Sequence, residues 1–523
     1  MADPSKQPDI SKASETTKVP AAEHEDDGIS PEVNLKTIHR HEDGDIALDF
    51  AAQLDAGYEV LPEVERRVRH KIDFILLPLI SCTATLSFLD KVSNNYANNY
   101  GLSKALHMEG DQFSWSASVF YFAFLVWQPA VSYMNQHYPL GRTISLNCMA
   151  WGLILLGQGF VKNYTGFVVL RFFQGLFEAC VLPTLQMMCS IWWTREEQSL
   201  RTAFWFNSIA GILGGLFAYA IGQWHVQSGF ERYQYLYITY GSFTVAWGVM
   251  LYFVLPDSPV TAWFLNHEEK LTAIARIKRN QTGMINRHFN RSQAIEAIKD
   301  PKTWFFVFFA FVSNLVNGSL NAFSTAIISG FGFTPLSTTL LSMPWGVVST
   351  LSNILVGLCI SFTEGKRLFY MAGVILIPLI GISIQFALVG GPRGVLLFAY
   401  YLTGPYNVPY VMLLAIISSN TAGTTKKVVT SSFVWIAYCA GNIAGPFFFK
   451  PSEAPYYRMG IGVVLGSFTL QCLLSLGFSV YLRMLNNIKE QQVREASDHQ
   501  EDSAAHAFAD LTDNENEQFR YVY

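Results

Sequence analysis

Arg171 and Glu178 stand seven residues apart inside an apolar stretch, Leu170 to Ala179. On a helix that spacing puts both on one face, about two turns or roughly 10 Å apart. The surrounding segment, about 166–191, reads as a membrane span. A charge there costs at least ~2.5–3.5 kcal/mol and normally faces an interior or a water-filled cavity. Asp90 and Lys91 form a second ionisable pair, well along another apolar run at about 72–97. Such groups in low dielectric can hold an anion, exchange a proton, or tie helices together as a structural ion pair. The last is a weak reason to keep them, because apolar substitutes often serve a fold as well. Movement that changes the distance between a buried carboxyl and a cation would load and release a proton.

Asn207, Asn317, Asn321, Asn407 and Asn442 also fall in apolar runs. Each can hydrogen-bond a ligand's carbonyl or ureido group, or bind helix to helix. Asn317 and Asn321 are four residues apart and share a helix face. Tyr406, Trp435 and Tyr438 are candidates to line a cavity, with packing or interface anchoring as the alternative. Gly211, Gly214 and Gly215 would let helices approach closely, and Pro129, Pro183, Pro344 and Pro446 would mark kinks that neighbouring helices tolerate. Lys426 and Lys427 read as orientation charges.

These residues need a frame of membrane helices, and the composition supplies one. Half the residues are hydrophobic and 15% are charged, against about a quarter charged in a soluble domain. Apolar runs of about twenty residues recur at roughly 72–97, 114–135, 143–161, 166–191, 202–222 and 235–255. A second set follows at 303–329, 336–360, 368–390, 394–418, 428–449 and 459–484. The runs at 394–418 and 428–449 are interrupted by Gly and Pro. The fold class is therefore an all-α membrane protein of twelve transmembrane helices in two groups of six.

The net charge of −4 gives no basis for nucleic-acid binding. The seven cysteines lie in apolar spans without metal-ligand spacing, so neither metal nor cofactor is expected. No Walker, Rossmann or zinc pattern is present, and no nucleophile–base constellation suggests an enzyme.

Residues 1–70 and 485–523 are polar and read as disordered tails. The first six spans fill 71–255 and the second six 303–484, joined by a basic linker, 256–302, with a helical pattern at His267 to Arg279. Arg66, Arg67, Arg69, Lys71, Arg142, Arg195, Arg201, the linker, Lys366, Arg367, Lys426 and Lys427 fall on alternate loops. Both termini and the linker should be cytoplasmic.

Trp205, Ala210, Gly211 and Gly215 recur as Trp435, Ala440, Gly441 and Gly445 at one constant offset. Parallel repeats of this kind suit an alternating-access carrier. The plan resembles the major facilitator superfamily. Tyr138-Pro-Leu-Gly141-Arg142 is similar to its loop between spans two and three, with Tyr138 where an Asp is usual. Arg171 with Gln174-Gly175 matches its fourth-span motif.

Further segments resemble the anion:cation symporter branch and, within it, the fungal allantoate permease family. These are Arg69-His-Lys-Ile-Asp-Phe-Ile-Leu-Leu-Pro78, Phe88-Leu-Asp-Lys91 followed by Asn95-Tyr-Ala97, and Trp193-Thr-Arg-Glu-Glu-Gln198 with Arg201. Gly330-Phe-Gly-Phe333 and Tyr438-Cys-Ala-Gly-Asn-Ile-Ala-Gly-Pro446 continue the likeness, which covers about 63–485. The family's first Asn after the Asp-Lys pair is Ser93 here.

The resemblance implies proton-coupled uptake of a small organic anion by a monomer at the plasma membrane. Asp90 and Glu178 would be the proton-responsive acids. Lys91 would contact the anion, as a point charge where an arginine fork is common in the branch. Arg171, Asn95 and the asparagines and aromatics above would complete the substrate site. A nutrient sensor on the same scaffold is the alternative, and a long signalling extension would favour it.

Overall fold

The computed structural model describes residues 61–194, 197–198, 201, 205, 209–224, 229–278, 290–362, 367–496, 512–516 and 519–523. Among them every regular element is helical. Ten helices are long and apolar enough to cross a membrane. Spans one to four are Pro62–Asn99, Gln112–His137, Leu140–Gln158, and Tyr164–Glu178 continued by Val181–Trp192. Span five is described as Ile209–Gly222, and span six is Arg232–Val254. Two linker helices follow, His267–Lys278 and Arg291–Lys299.

Span seven is Pro301–Gly330, span eight Pro335–Leu341 with Met343–Phe362, and span nine Arg367–Ala387. Span ten is divided into Arg393–Leu402, a 3-10 turn Gly404–Asn407, and Val408–Asn420. Span eleven, Thr424–Ala444, ends in a second 3-10 turn at Gly445–Phe448, and span twelve is Arg458–Ala496.

Local chemistry explains the starts and breaks. Asn163 caps span four by accepting from Gly166 N at 2.9 Å. Glu231 and Gln234 form a capping box at span six. Asp300 caps span seven, with Pro301 in the first turn where no N–H is needed. Pro183 cannot donate to the carbonyl of Ala179 and clashes with it. Span four therefore breaks between Glu178 and Val181. Pro405, Pro409 and Pro446 divide spans ten and eleven in the same way, as their Gly and Pro content predicts.

Twelve spans return the chain to the side on which it began, the termini side. On the opposite, distal side the two halves are joined by hydrogen bonds. Asn95 is bonded to Ser324 and accepts from Thr325 Oγ1 at 2.7 Å. Asn99 Nδ2 donates to Pro335 O at 2.8 Å, and Ser114 Oγ to Pro446 O at 3.0 Å. Gly211 of span five faces Gly346 of span eight: a Cβ on Gly211 would lie 3.3 Å from the Gly346 Cα. The expected close approach is thus made between the halves.

On the termini side each half grips the linker. Lys71 pairs with Glu269 at 2.7 Å, and Arg276 with Glu197 at 2.7 Å. Asp73 receives Trp193 Nε1 and Arg201 Nη2, each at 2.7 Å, so two of the resembling segments meet there. Arg142 pairs with Asp257 after span six at 3.7 Å.

Two expectations need correction. Residues from 485 onward were expected to form a disordered tail. Span twelve instead continues to Ala496, and Asp513 to Asn516 and Phe519 to Tyr523 pack on the second half. Tyr521 N donates to Asn486 Oδ1 at 2.9 Å, and Val522 N to Asn420 Oδ1 at 2.7 Å. Lys426, read as an orientation charge, is buried at 1% exposure, with Asp513 and Asp300 both 2.8 Å from its Nζ. Composition marks the tail as polar but does not reveal that its carboxylate has buried lysines to meet. Residues 1–60 lie outside the described residues.

Candidate functional site

Asp90, Lys91, Arg171 and Glu178 come together midway through the first half, on spans one and four. All but Lys91 are buried in the residue sense, and the Lys91 side chain is only 8% exposed. Their pairing differs from the simplest expectation. Lys91 does not take Asp90; its Nζ lies 3.4 Å from Glu178 Oε1. Ser87 Oγ, one helical turn earlier, donates to the same oxygen at 2.6 Å. Glu178 Oε2 receives no donor.

Asp90 Oδ2 is held by two neutral donors, and Ser93 Oγ donates to Oδ1 at 3.3 Å. Trp151 Nε1 of span three donates to Oδ2 at 2.5 Å, and Gln174 Nε2 of span four donates to the same oxygen. The Gln174 carbonyl accepts from Arg171 Nη1 at 3.0 Å and from Gln158 Nε2 at 2.5 Å. An amide can do this because it donates and accepts at once. Arg171 therefore acts on Asp90 through Gln174, while its Nε has no partner.

Sequence reasoning missed Gln174, Trp151 and Ser87 as parts of the site. A signal for Gln174 existed: its i+3 spacing from Arg171 places it on the same face. Nothing in the sequence brings Trp151 to Asp90, since they meet only through helix packing.

A cavity of ≈ 30 Å³ opens beside this cluster at the interface of the halves. Lys91, Asn94, Tyr121 and Arg171 line it from the first half, with Gly318 and Asn321 on the second-half wall. It has room for about two waters, so a larger solute must enter by parting of the halves.

The remaining candidates are distributed as follows. Asn317, Asn321 and Asn442 form a ladder with Asn314. Asn321 Nδ2 donates to Asn317 Oδ1 at 2.9 Å, and Asn317 Nδ2 to Asn442 Oδ1 at 2.9 Å. Tyr438 sits against Tyr121 and Tyr410, with ring centroids at 6.2 and 5.6 Å, and Trp435 against Phe124 at 6.3 Å. Tyr406 is stacked on Trp345 at 5.0 Å, and Asn407 ends the turn in span ten. Neither lines the cavity described here. Asn95 is used as a strut on the distal side. Asn207 lies outside the described residues. Among the described residues no group of three or more His, Cys, Asp or Glu could hold a metal ion.

The Major Facilitator Superfamily model matches residues 80–446. The chain belongs to the major facilitator superfamily, within its fungal allantoate permease family. It is 30% identical to the allantoate permease of Saccharomyces cerevisiae over 94% of this chain and 92% of that one. It is 34% identical to an uncharacterized transporter of Schizosaccharomyces pombe over 91% and 93%. The thiamine pathway transporter of Saccharomyces cerevisiae is 29% identical over 91% and 90%. A D-xylose–proton symporter has the same fold at TM-score 0.60 and 10% identity, covering 77% of this chain and 97% of that one. The chain is a multi-pass membrane protein and a secondary transporter of the major facilitator type.

Proposed function

We propose that this protein carries a small organic anion across the plasma membrane together with protons, by alternating access, with both termini cytoplasmic. The observation that carries the reading is the buried cluster of Asp90, Lys91, Arg171 and Glu178 beside the cavity. Fully ionised, the four side chains sum to zero charge. An entering carboxylate leaves one uncompensated negative charge in low dielectric, which is costly. A proton on the adjoining carboxyls of Asp90 and Glu178 restores neutrality. Anion and proton thus favour each other's binding, which is the requirement for symport.

Lys91 and the unsatisfied edge of Arg171 are the anion contacts, and Glu178 is the principal proton site. Anion arrival would draw Lys91 from Glu178 and leave the carboxyl to take up the proton. With the termini side cytoplasmic, the joined distal side closes the outer face in this arrangement. The relative named allantoate permease supports an allantoate-like carboxylate as substrate; a ureidosuccinate-like or vitamin-like carboxylate fits the same anion site. The relatives named above are transporters, which favours a carrier over a sensor.

The test is uptake in a transporter-deficient yeast, using a panel of labelled acids at varied external pH. Accumulation should rise at acid pH and fall with an uncoupler. Indifference to both would sink proton coupling.

A further inference from the structure

The asparagine ladder has a fixed direction, and its direction constrains the ligand. Asn314 Nδ2 donates to Ala310 O at 2.8 Å, and Asn442 Nδ2 donates to Tyr438 O at 2.9 Å. A backbone carbonyl only accepts, so these two amides cannot be flipped. Asn442 Nδ2 also donates to Asn314 Oδ1 at 3.2 Å. Asn442 must then offer its oxygen to Asn317 Nδ2, and Asn317 its oxygen to Asn321 Nδ2. The chain ends at Asn321, which lines the cavity opposite Lys91 and Arg171. There the Oδ1 acceptor has no donor among the described residues, and one amide N–H is left over.

We propose that Asn321 is a specificity-determining residue that selects carboxylates bearing an N–H or O–H donor at the end remote from the carboxylate. This rests on the anion site assigned to Lys91 and Arg171. The ligand then spans the interface, its charge on the first half and its donor on the second. A ureido or primary-amide end is the best complement, because it can give a hydrogen to Oδ1 and accept the remaining N–H. A ketone of the same shape can accept the N–H but leaves Oδ1 unpaired when the halves close. A buried acceptor left without its donor is penalised far more than a missing methylene. The second half supplies no carboxylate at this wall among the cavity-lining residues, so a cationic end is not matched.

The test is equilibrium titration of the full-length protein in lipid nanodiscs with three probes: 3-ureidopropionate, its isostere 5-oxohexanoate, and the methyl ester of 3-ureidopropionate. The expected result is that the ureido acid binds about tenfold or more tightly than the keto acid. Asn321→Leu should bring the two acids within about twofold of each other. Asn321→Asp keeps the acceptor and should retain the preference while weakening both acids, which separates lost recognition from a damaged fold. Equal binding of the two acids by the unaltered protein, or a ratio that survives Asn321→Leu, would overturn the inference. An ester that binds as well as the acid would instead remove the anion site, and the inference with it.

Discussion

Lys91 Nζ stands 3.4 Å from Glu178 Oε1, and Ser87 donates to that same oxygen while the other Glu178 oxygen receives no donor. One half of the carboxyl is therefore committed and the other half free. A group that is partly satisfied in a dry site is poised to change partner or protonation state, whereas a fully satisfied one would be locked.

Trp151→Phe removes one of the two neutral donors to Asp90 Oδ2. A hydrogen bond to a charged group is worth ~1.5–3 kcal/mol, so transport should fall by about ten- to a hundredfold. The pH dependence of initial uptake should move as well, which a purely structural loss would not cause. Measuring uptake across external pH in the variant decides it.

Gln174→Leu cuts the link between Arg171 and Asp90 and strands Gln158 too. Uptake should drop at least about tenfold, and Gln174→Asn, one methylene shorter, should recover little. An unchanged KM and kcat in Gln174→Leu would show that the amide bridge is not used.

Close packing sets the next expectation. A Cβ on Gly441 would lie 2.4 Å from Phe311 O, while one on Gly466 meets nothing within 4 Å. Gly441→Ala should lower stability by ~1–3 kcal/mol, whereas Gly466→Ala should leave thermal unfolding in detergent nearly unchanged. Equal melting temperatures would contradict the close contact of spans seven and eleven.

Much of this was legible in the chain. The positions of the spans, the interruptions in spans ten and eleven, and the membership of Asp90, Lys91, Arg171 and Glu178 in one site follow from hydropathy and motif. Who pairs with whom did not follow. Helical spacing places Arg171 and Glu178 on one face, but crossings of spans one, three and four decide that Lys91 takes Glu178 and Gln174 takes Asp90. The segment that singles out Asn95 does not show its partners. One further helical turn past the Asp-Lys pair brings it against Ser324 and Thr325 of span seven.

The tail makes a separate expectation. Burial opposes the charge on Asp513, but Lys302 and Lys426 outweigh it and hold the carboxyl below its ordinary value of 3.8. A depressed carboxyl stabilises the docked tail fully above the unfolded value, and that contribution is lost as pH falls through the folded one. Asp513→Asn leaves two buried lysines short of a partner, which typically costs ~3–5 kcal/mol. Protease cleavage of residues 512–523 should quicken in the variant at neutral pH; equal rates would show that the ion cluster does not hold the tail.

The most direct measurement of proton coupling uses Glu178→Gln in liposomes, with the labelled acid that proves best in the yeast panel. Under an imposed pH gradient the unaltered protein should accumulate the acid above equilibrium. Glu178→Gln should lose that accumulation yet still exchange labelled for unlabelled acid without a gradient. Intact gradient-driven accumulation in Glu178→Gln would contradict the role assigned to Glu178.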